Sequence, residues 1–139
     1  MIISFEVTLI LKNQIIIGMS VHINNQTFEA EYLKTPEDIR KGMMGRDSLS
    51  GCMVFNMGKG YHSFWMMNCL IPLDIIFVLN KRISRIHTNC EAPDSHWTNP
   101  PRYTGIGDHV IEFPAGTCDG WKVGDKVAMY LGTPQNPVR

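Results

Sequence analysis

The sequence has no excess of charge of either sign. Thirteen Lys and Arg balance thirteen Asp and Glu over 139 residues, and no basic run occurs. A surface that tracks nucleic-acid phosphates needs clustered Lys and Arg, so no nucleic-acid partner is expected. Charged residues are scarce altogether, 19% against 44% hydrophobic, which fits a globular chain rather than a disordered one. Cysteine is sparse as well: Cys52, Cys69, Cys90 and Cys118 form no C-x-x-C pair. Zinc modules need closely spaced ligands. A chain of this length also buries a core without disulfides. Free thiols, no metal and no cofactor are therefore expected. His87-x-x-Cys90 supplies at most half a metal site. There is no glycine-rich nucleotide fingerprint, no nucleophile elbow and no H-E-x-x-H helix.

A membrane span is missing too. Residues 60–80 (GYHSFWMMNCLIPLDIIFVLN) carry Asp74 as their one charge. Pro72 interrupts them, and their Phe, Ile and Val favour strands over a spanning helix. Residues 1–18 are apolar but hold Glu6 and Lys12, and no Lys or Arg precedes Lys12. A clear signal peptide is not evident, and the compartment stays open. Ile3, Phe5, Val7 and Leu9 alternate with period two, so residues 1–20 read as an extra strand or a loose arm. Met19 is an alternative start.

Short strands and turns are present in number. Val21–Ile23, Asn24-Asn25 and Thr27–Leu33 predict a hairpin. Thr35-Pro36-Glu37-Asp38 is a helix start: a hydroxyl cap, a proline with its φ preset, and two acids on the positive end of the dipole. One short helix is predicted near residues 36–44. Strands are predicted around 53–55, 62–66, 74–79, 82–87, 109–113 and 126–131, with turns at Gly58-Lys-Gly60, Asn80-Lys81 and Pro114-Ala-Gly116. Residues 88–108, rich in Pro and Gly, read as a long functional loop or lid. The expectation is a mainly β fold: an antiparallel sandwich or barrel, jelly-roll-like, over residues 21–133, with a C-terminal tail at 134–139.

Five residues stand out. Asp74, between Leu73 and Ile75, must be compensated if buried. It either caps the turn after Pro72 by accepting backbone amides or serves a ligand. Arg46, after the helix, is a candidate partner for Asp74 or a clamp for an acidic ligand. Trp65 and Asn68 suit a polar ligand with apolar faces, such as a sugar; Trp65 reads equally as a core aromatic. Glu112 shares the face of Val110, opposite Ile111 and Phe113, and lies on a solvent face or in a pocket.

The order Thr35-Pro36, Gly42-Met43-Met44-x-Arg46, Met53-Val-Phe55, Phe64-Trp65-Met66-x-Asn68, Ile71-Pro72-Leu73-Asp74-Ile75-Ile76-Phe77, Ile83-x-x-Ile86, His109-Val-Ile-Glu-Phe-Pro-Ala-Gly116 and Val123-Gly-Asp125 resembles domain-of-unknown-function family 192. The likeness covers about residues 26–131. It implies a compact, mostly antiparallel β-domain of jelly-roll or barrel type with one short helix. It implies no established activity, and it allows export, since members often carry a signal. Arg46, Trp65, Asn68, Asp74 and Glu112 match family positions. Two departures stand out: the segment between Arg46 and Met53 is compact, and Met67-Asn68-Cys69 stands where the family usually has Lys-Asn-Thr. The second removes a cation beside the expected pocket.

Three functions follow as expectations. The first is non-catalytic binding of a small polar ligand such as a carbohydrate. The second is a hydrolase or lyase using Asp74 and Glu112 as acid and base. The third is an accessory protein-interaction module.

Overall fold

A computed structural model describes residues 15–93 and 98–131. The expectations for residues 1–14 and for the tail at 134–139 lie outside the described residues. The chain forms strands β1 (Ile15–Ile23) and β2 (Gln26–Leu33), helix α1 (Pro36–Lys41), and strands β3 (Cys52–Phe64), β4 (Leu73–Leu79), β5 (Arg82–Cys90), β6 (Tyr103–Pro114) and β7 (Ala128–Leu131). All seven strands belong to one sheet in the order β5-β4-β6-β3-β2-β1-β7.

The tight turns arise as the sequence predicts. Asn24 and Asn25 both take positive φ, as do Asn80 and Lys81, and each pair closes a two-residue hairpin of the kind that matches the right-handed twist of the flanking strands. Thr35 caps α1, its hydroxyl accepting the Asp38 amide at 3.2 Å, with Pro36 at the first helical position. Gly42 ends the helix with its amide on the Asp38 carbonyl at 2.8 Å.

The expected mainly β fold with one short helix forms among the described residues, but the sheet is mixed rather than wholly antiparallel. β2 and β3 run parallel, and the single mixed sheet curls into a half-barrel. A parallel pair cannot be joined by a hairpin and needs a crossover. Residues 34–51, including α1, make that crossover and so lie over one face of the sheet. The curl is visible in the inner core. There Val21 of β1 packs in one cluster with Ile76 of β4, Ile83 of β5 and Ile111 of β6, although β1 and β5 stand near opposite ends of the strand order. At one end the segment just before β7 also reaches β5. Lys126 bridges Arg82, and the Ile83 amide donates to the Asp125 carbonyl at 2.9 Å. On the outer face, Met53, Phe55, Ile75, Phe77 and Val110 pack with Met43, Met66 and Cys69 from the covering segments.

The predicted long loop is also corrected. β5 runs to Cys90 and β6 begins at Tyr103. Gly105 and Gly107 belong to the strand, and each has a packing reason. A Cβ on Gly105 would sit 2.6 Å from the Phe77 ring, and one on Gly107 would sit 2.7 Å from the Val78 carbonyl. Similarly, Gly58-Lys-Gly60 is a register shift inside the continuous strand β3 rather than a turn between two strands.

Candidate functional site

Asp74 and Glu112 are the two buried carboxyls of the sheet, and the ladder separates them. Asp74 stands opposite Phe113, and Ile75 stands opposite Glu112. Because successive side chains point to opposite faces, Asp74 enters the inner core with Phe113 and Ile76. Glu112 enters the outer core with Val110 and Ile75. An acid–base couple needs both groups at one cleft, whereas the ladder puts Asp74 and Glu112 on opposite faces of the sheet.

Asp74 is held by three backbone amides and by the Cys118 thiol. One carboxylate oxygen accepts the Asn89 amide at 2.8 Å; the other accepts the amides of Gly116 and Cys118, each at 2.9 Å. Positive φ at Asn89 and Gly116 turns the chain at both places. The capping alternative therefore describes Asp74, but the amides come from the end of β5 and the turn after β6, not from the turn after Pro72. Nor does Asp74 pair with Arg46. Arg46 forks onto Glu31 of β2 with both nitrogens, at 2.8 and 2.7 Å, and ties the crossover to the strand it left. Asn68 is exposed and takes φ +61°. Its carbonyl receives the Gly45 amide at 2.9 Å. Together with the bridge between Met44 and Cys69, this laces the two covering segments into one lid over the outer face.

Glu112 lies beneath that lid. It is 4% exposed, and its Oε1 has no hydrogen-bond partner. A buried acceptor without a partner costs free energy that a native fold normally avoids. The carboxyl borders a cavity of about 180 Å³ under α1. Buried Met43, Phe55 and Cys69 form its interior with Glu112. Arg40, Lys41, Trp65 and Arg102 also line it and are exposed, so they form its rim. Burial holds the Glu112 carboxyl at about 8, well above the usual carboxylate range, so it is mostly protonated at neutral pH. Burial also pushes the Cys69 thiol up to about 12, with the Glu112 charge adding to the effect. That thiol is not a ready nucleophile.

Trp65 stands just past the end of β3, 38% exposed. The neighbouring Phe64 takes the core role, with its ring 5.1 Å from Phe55 and 6.1 Å from Phe77. The Arg102 guanidinium sits 4.2 Å from the Trp65 ring centre, a cation–π contact. Of the five sequence candidates, Trp65 and Glu112 share this cavity. Arg46 lines a neighbouring depression, and Asp74 faces the other core. Sequence reading missed Arg102, which ends an irregular segment with no local signal. It read α1 without noticing that Arg40 and Lys41 face a cavity. The Met67 and Cys69 departures line that same cavity.

A larger cavity, about 800 Å³, opens at one end of the half-barrel beside His109. Its His109 and Asp108 are both hydrogen-bonded. Asp108 accepts from His109 Nδ1 at 2.7 Å and from the Asn80 amide at 2.9 Å, and the Tyr32 hydroxyl meets His109 Nε2 at 3.0 Å. Burial raises the Asp108 pKa, but the hydrogen bonds from the Asn80 amide and His109, the His109 charge and the residue's own backbone amide together hold the carboxyl below its ordinary value. That chain fastens β2 to β6. The unsatisfied group lies at Glu112, so the smaller cavity is the candidate site.

Among the described residues, no group of three or more His, Cys, Asp or Glu is placed to hold a metal ion, and no helix is long and apolar enough to cross a membrane. No curated protein matches the chain. Two crystal structures resemble it. A protein of unknown function from Novosphingobium aromaticivorans DSM 12444 is 32% identical, with a TM-score of 0.68, over 82% of this chain and 84% of that one. A protein described as a candidate transcription regulator from Sinorhizobium meliloti 1021 is 21% identical, with a TM-score of 0.69, over 80% of this chain and 91% of that one. At that identity the second likeness concerns the fold alone. The model of the family DUF192 (Uncharacterized ACR) matches residues 19–129. With most of the chain matched in this way, it belongs to the DUF192 family.

Proposed function

We propose that this domain is a non-catalytic binding module for a small ligand, held in the cavity beneath α1 with Glu112 as its polar anchor. The observation that carries the reading is the unpartnered Oε1 of Glu112 on the cavity wall. A ligand that hydrogen-bonds this carboxyl removes the cost of an unsatisfied buried group. At about 180 Å³ the cavity slightly exceeds the roughly 150 Å³ that suffices for a benzene ring, so it suits a compact body rather than a chain of sugars. The apolar walls favour such a body as well. The indole platform expected for a carbohydrate already carries Arg102 on one face. No nucleophile–base pair accompanies Glu112, since burial disfavours the Cys69 thiolate.

Phenol is a suitable probe, having an apolar ring and one hydroxyl. Phenol should raise the melting temperature of the wild-type protein, because a ligand that binds the native state alone stabilises it. It should leave Glu112→Leu unmoved. Equal stabilisation of both proteins, or none of either, would show that Glu112 anchors nothing.

A further inference from the structure

The charges around the Glu112 cavity are sorted by depth. The interior holds a single carboxyl among methionines and aromatics, while the rim carries Arg40, Lys41 and Arg102. None of these three cations has an ion-pair partner among the described residues, where Arg46 and Glu31 form the one Lys or Arg bridge. Arg102 is held differently from its neighbours. Its guanidinium rests over the Trp65 ring at 4.2 Å, a contact that uses its face and leaves its N–H groups available to meet a carboxylate in two parallel bonds. Trp65 then acts as the platform that positions Arg102, not as a stacking surface for the ligand.

We propose that the cavity takes a small carboxylic acid with a compact apolar body, its carboxylate on Arg102 at the rim and an uncharged hydroxyl at its inner end on Glu112. This rests on the binding reading above and adds the ligand's charge and polarity to it. A cationic ligand is disfavoured by three cations at the entrance. A ligand with an anionic inner end is disfavoured because a second negative charge would meet an apolar interior beside Glu112. The protonated state of Glu112 at neutral pH, a consequence of its burial, lets it both donate to and accept from a hydroxyl.

The probe is 4-hydroxybenzoate, which has an acid at one end of a ring and a hydroxyl at the other. Calorimetric titration of the full chain at neutral pH should show it binding at least tenfold more tightly than 4-hydroxybenzamide and 4-hydroxybenzylamine. Its affinity should fall as salt rises. Arg102→Gln, at an exposed position, should weaken 4-hydroxybenzoate to the level of the amide while leaving the amide unchanged. Trp65→Leu should produce a smaller loss of the same kind, and Glu112→Leu should abolish the advantage of 4-hydroxybenzoate over benzoate. If the amide or the amine binds as tightly as the acid, or Arg102→Gln weakens all ligands alike, the acid class is wrong while the cavity reading survives. If none of these compounds binds and phenol does not either, both fail.

Discussion

The carboxylate of Asp74 and the amide of Cys118 meet at 2.9 Å across 44 residues of sequence. With Gly116 and Asn89 also donating to it, this side chain holds the turn after β6 and the end of β5 against the start of β4. Removing it leaves three amides without their acceptor, that of Cys118 fully buried and those of Asn89 and Gly116 partly so. Asp74→Ala should cost about 3 kcal/mol or more. Asp74→Asn, which turns an NH₂ group toward one set of donors, should cost about 1–3 kcal/mol. Urea unfolding measures both. A loss below about 0.5 kcal/mol for Asp74→Ala, the range of an ordinary surface change, would contradict the role.

Glu112 should make stability fall as pH rises. Its folded-state pKa of about 8 lies above the reference value of 4.5. Between these values the folded protein keeps a proton that the unfolded chain has released. The contribution is complete below pH 4.5 and is lost as pH rises through 8. The span amounts to about 3–5 kcal/mol. Glu112→Gln should flatten this dependence, with its stability relative to wild type rising steadily from pH 5 to pH 8. A wild-type-minus-variant difference that is constant with pH would disprove the shift.

The Arg46–Glu31 fork is partly exposed, with side-chain exposures of 38% and 23%, so its contribution is discounted for solvent screening. Arg46→Ala should cost about 1 kcal/mol or less, and the cost should shrink in high salt. It should leave phenol and 4-hydroxybenzoate affinities unchanged, in contrast to Arg102→Gln for the acid. An equal effect of the two variants on acid binding would move the ligand's carboxylate toward Arg46.

Gly105→Ala should destabilise the protein by about 1–3 kcal/mol, the usual cost of overpacking. The new methyl would meet the centre of the Phe77 ring edge at 2.6 Å from Cγ. Pairing it with Phe77→Leu, which removes that ring, should recover part of the loss. Strict additivity of the two changes in thermal unfolding would show that they do not touch.

The contrast between Glu112 and Asp74 shows where sequence reading stopped. Alternation within 109–113 put Glu112 with Val110, and the structure keeps that pairing of faces. The same pattern cannot say whether water or protein covers the face. Here the crossover through α1 and the segment after β3 cover it, so a residue readable as solvent-facing becomes an unpartnered carboxyl at a cavity. Asp74 was recognisable as a charge needing compensation. Its donors lie in segments centred on Asn89 and Gly116, brought together only by sheet registry.

The sequence by itself determined the features that act within a few residues. These are the Asn24-Asn25 and Asn80-Lys81 turns, the Thr35-Pro36 helix start, the apolar strand at 74–79 and the family to which the chain belongs. Each depends on local backbone preference or on side-chain alternation. The tertiary structure decided the parallel pairing of β2 with β3, the choice of Glu31 as the partner of Arg46, and the strand status of Gly105 and Gly107. It also brought Trp65, Arg102 and Glu112 to one cavity. Those outcomes depend on which distant segments share a face, and short-range preferences carry no information about that until the sheet has curled and the crossover has closed over it.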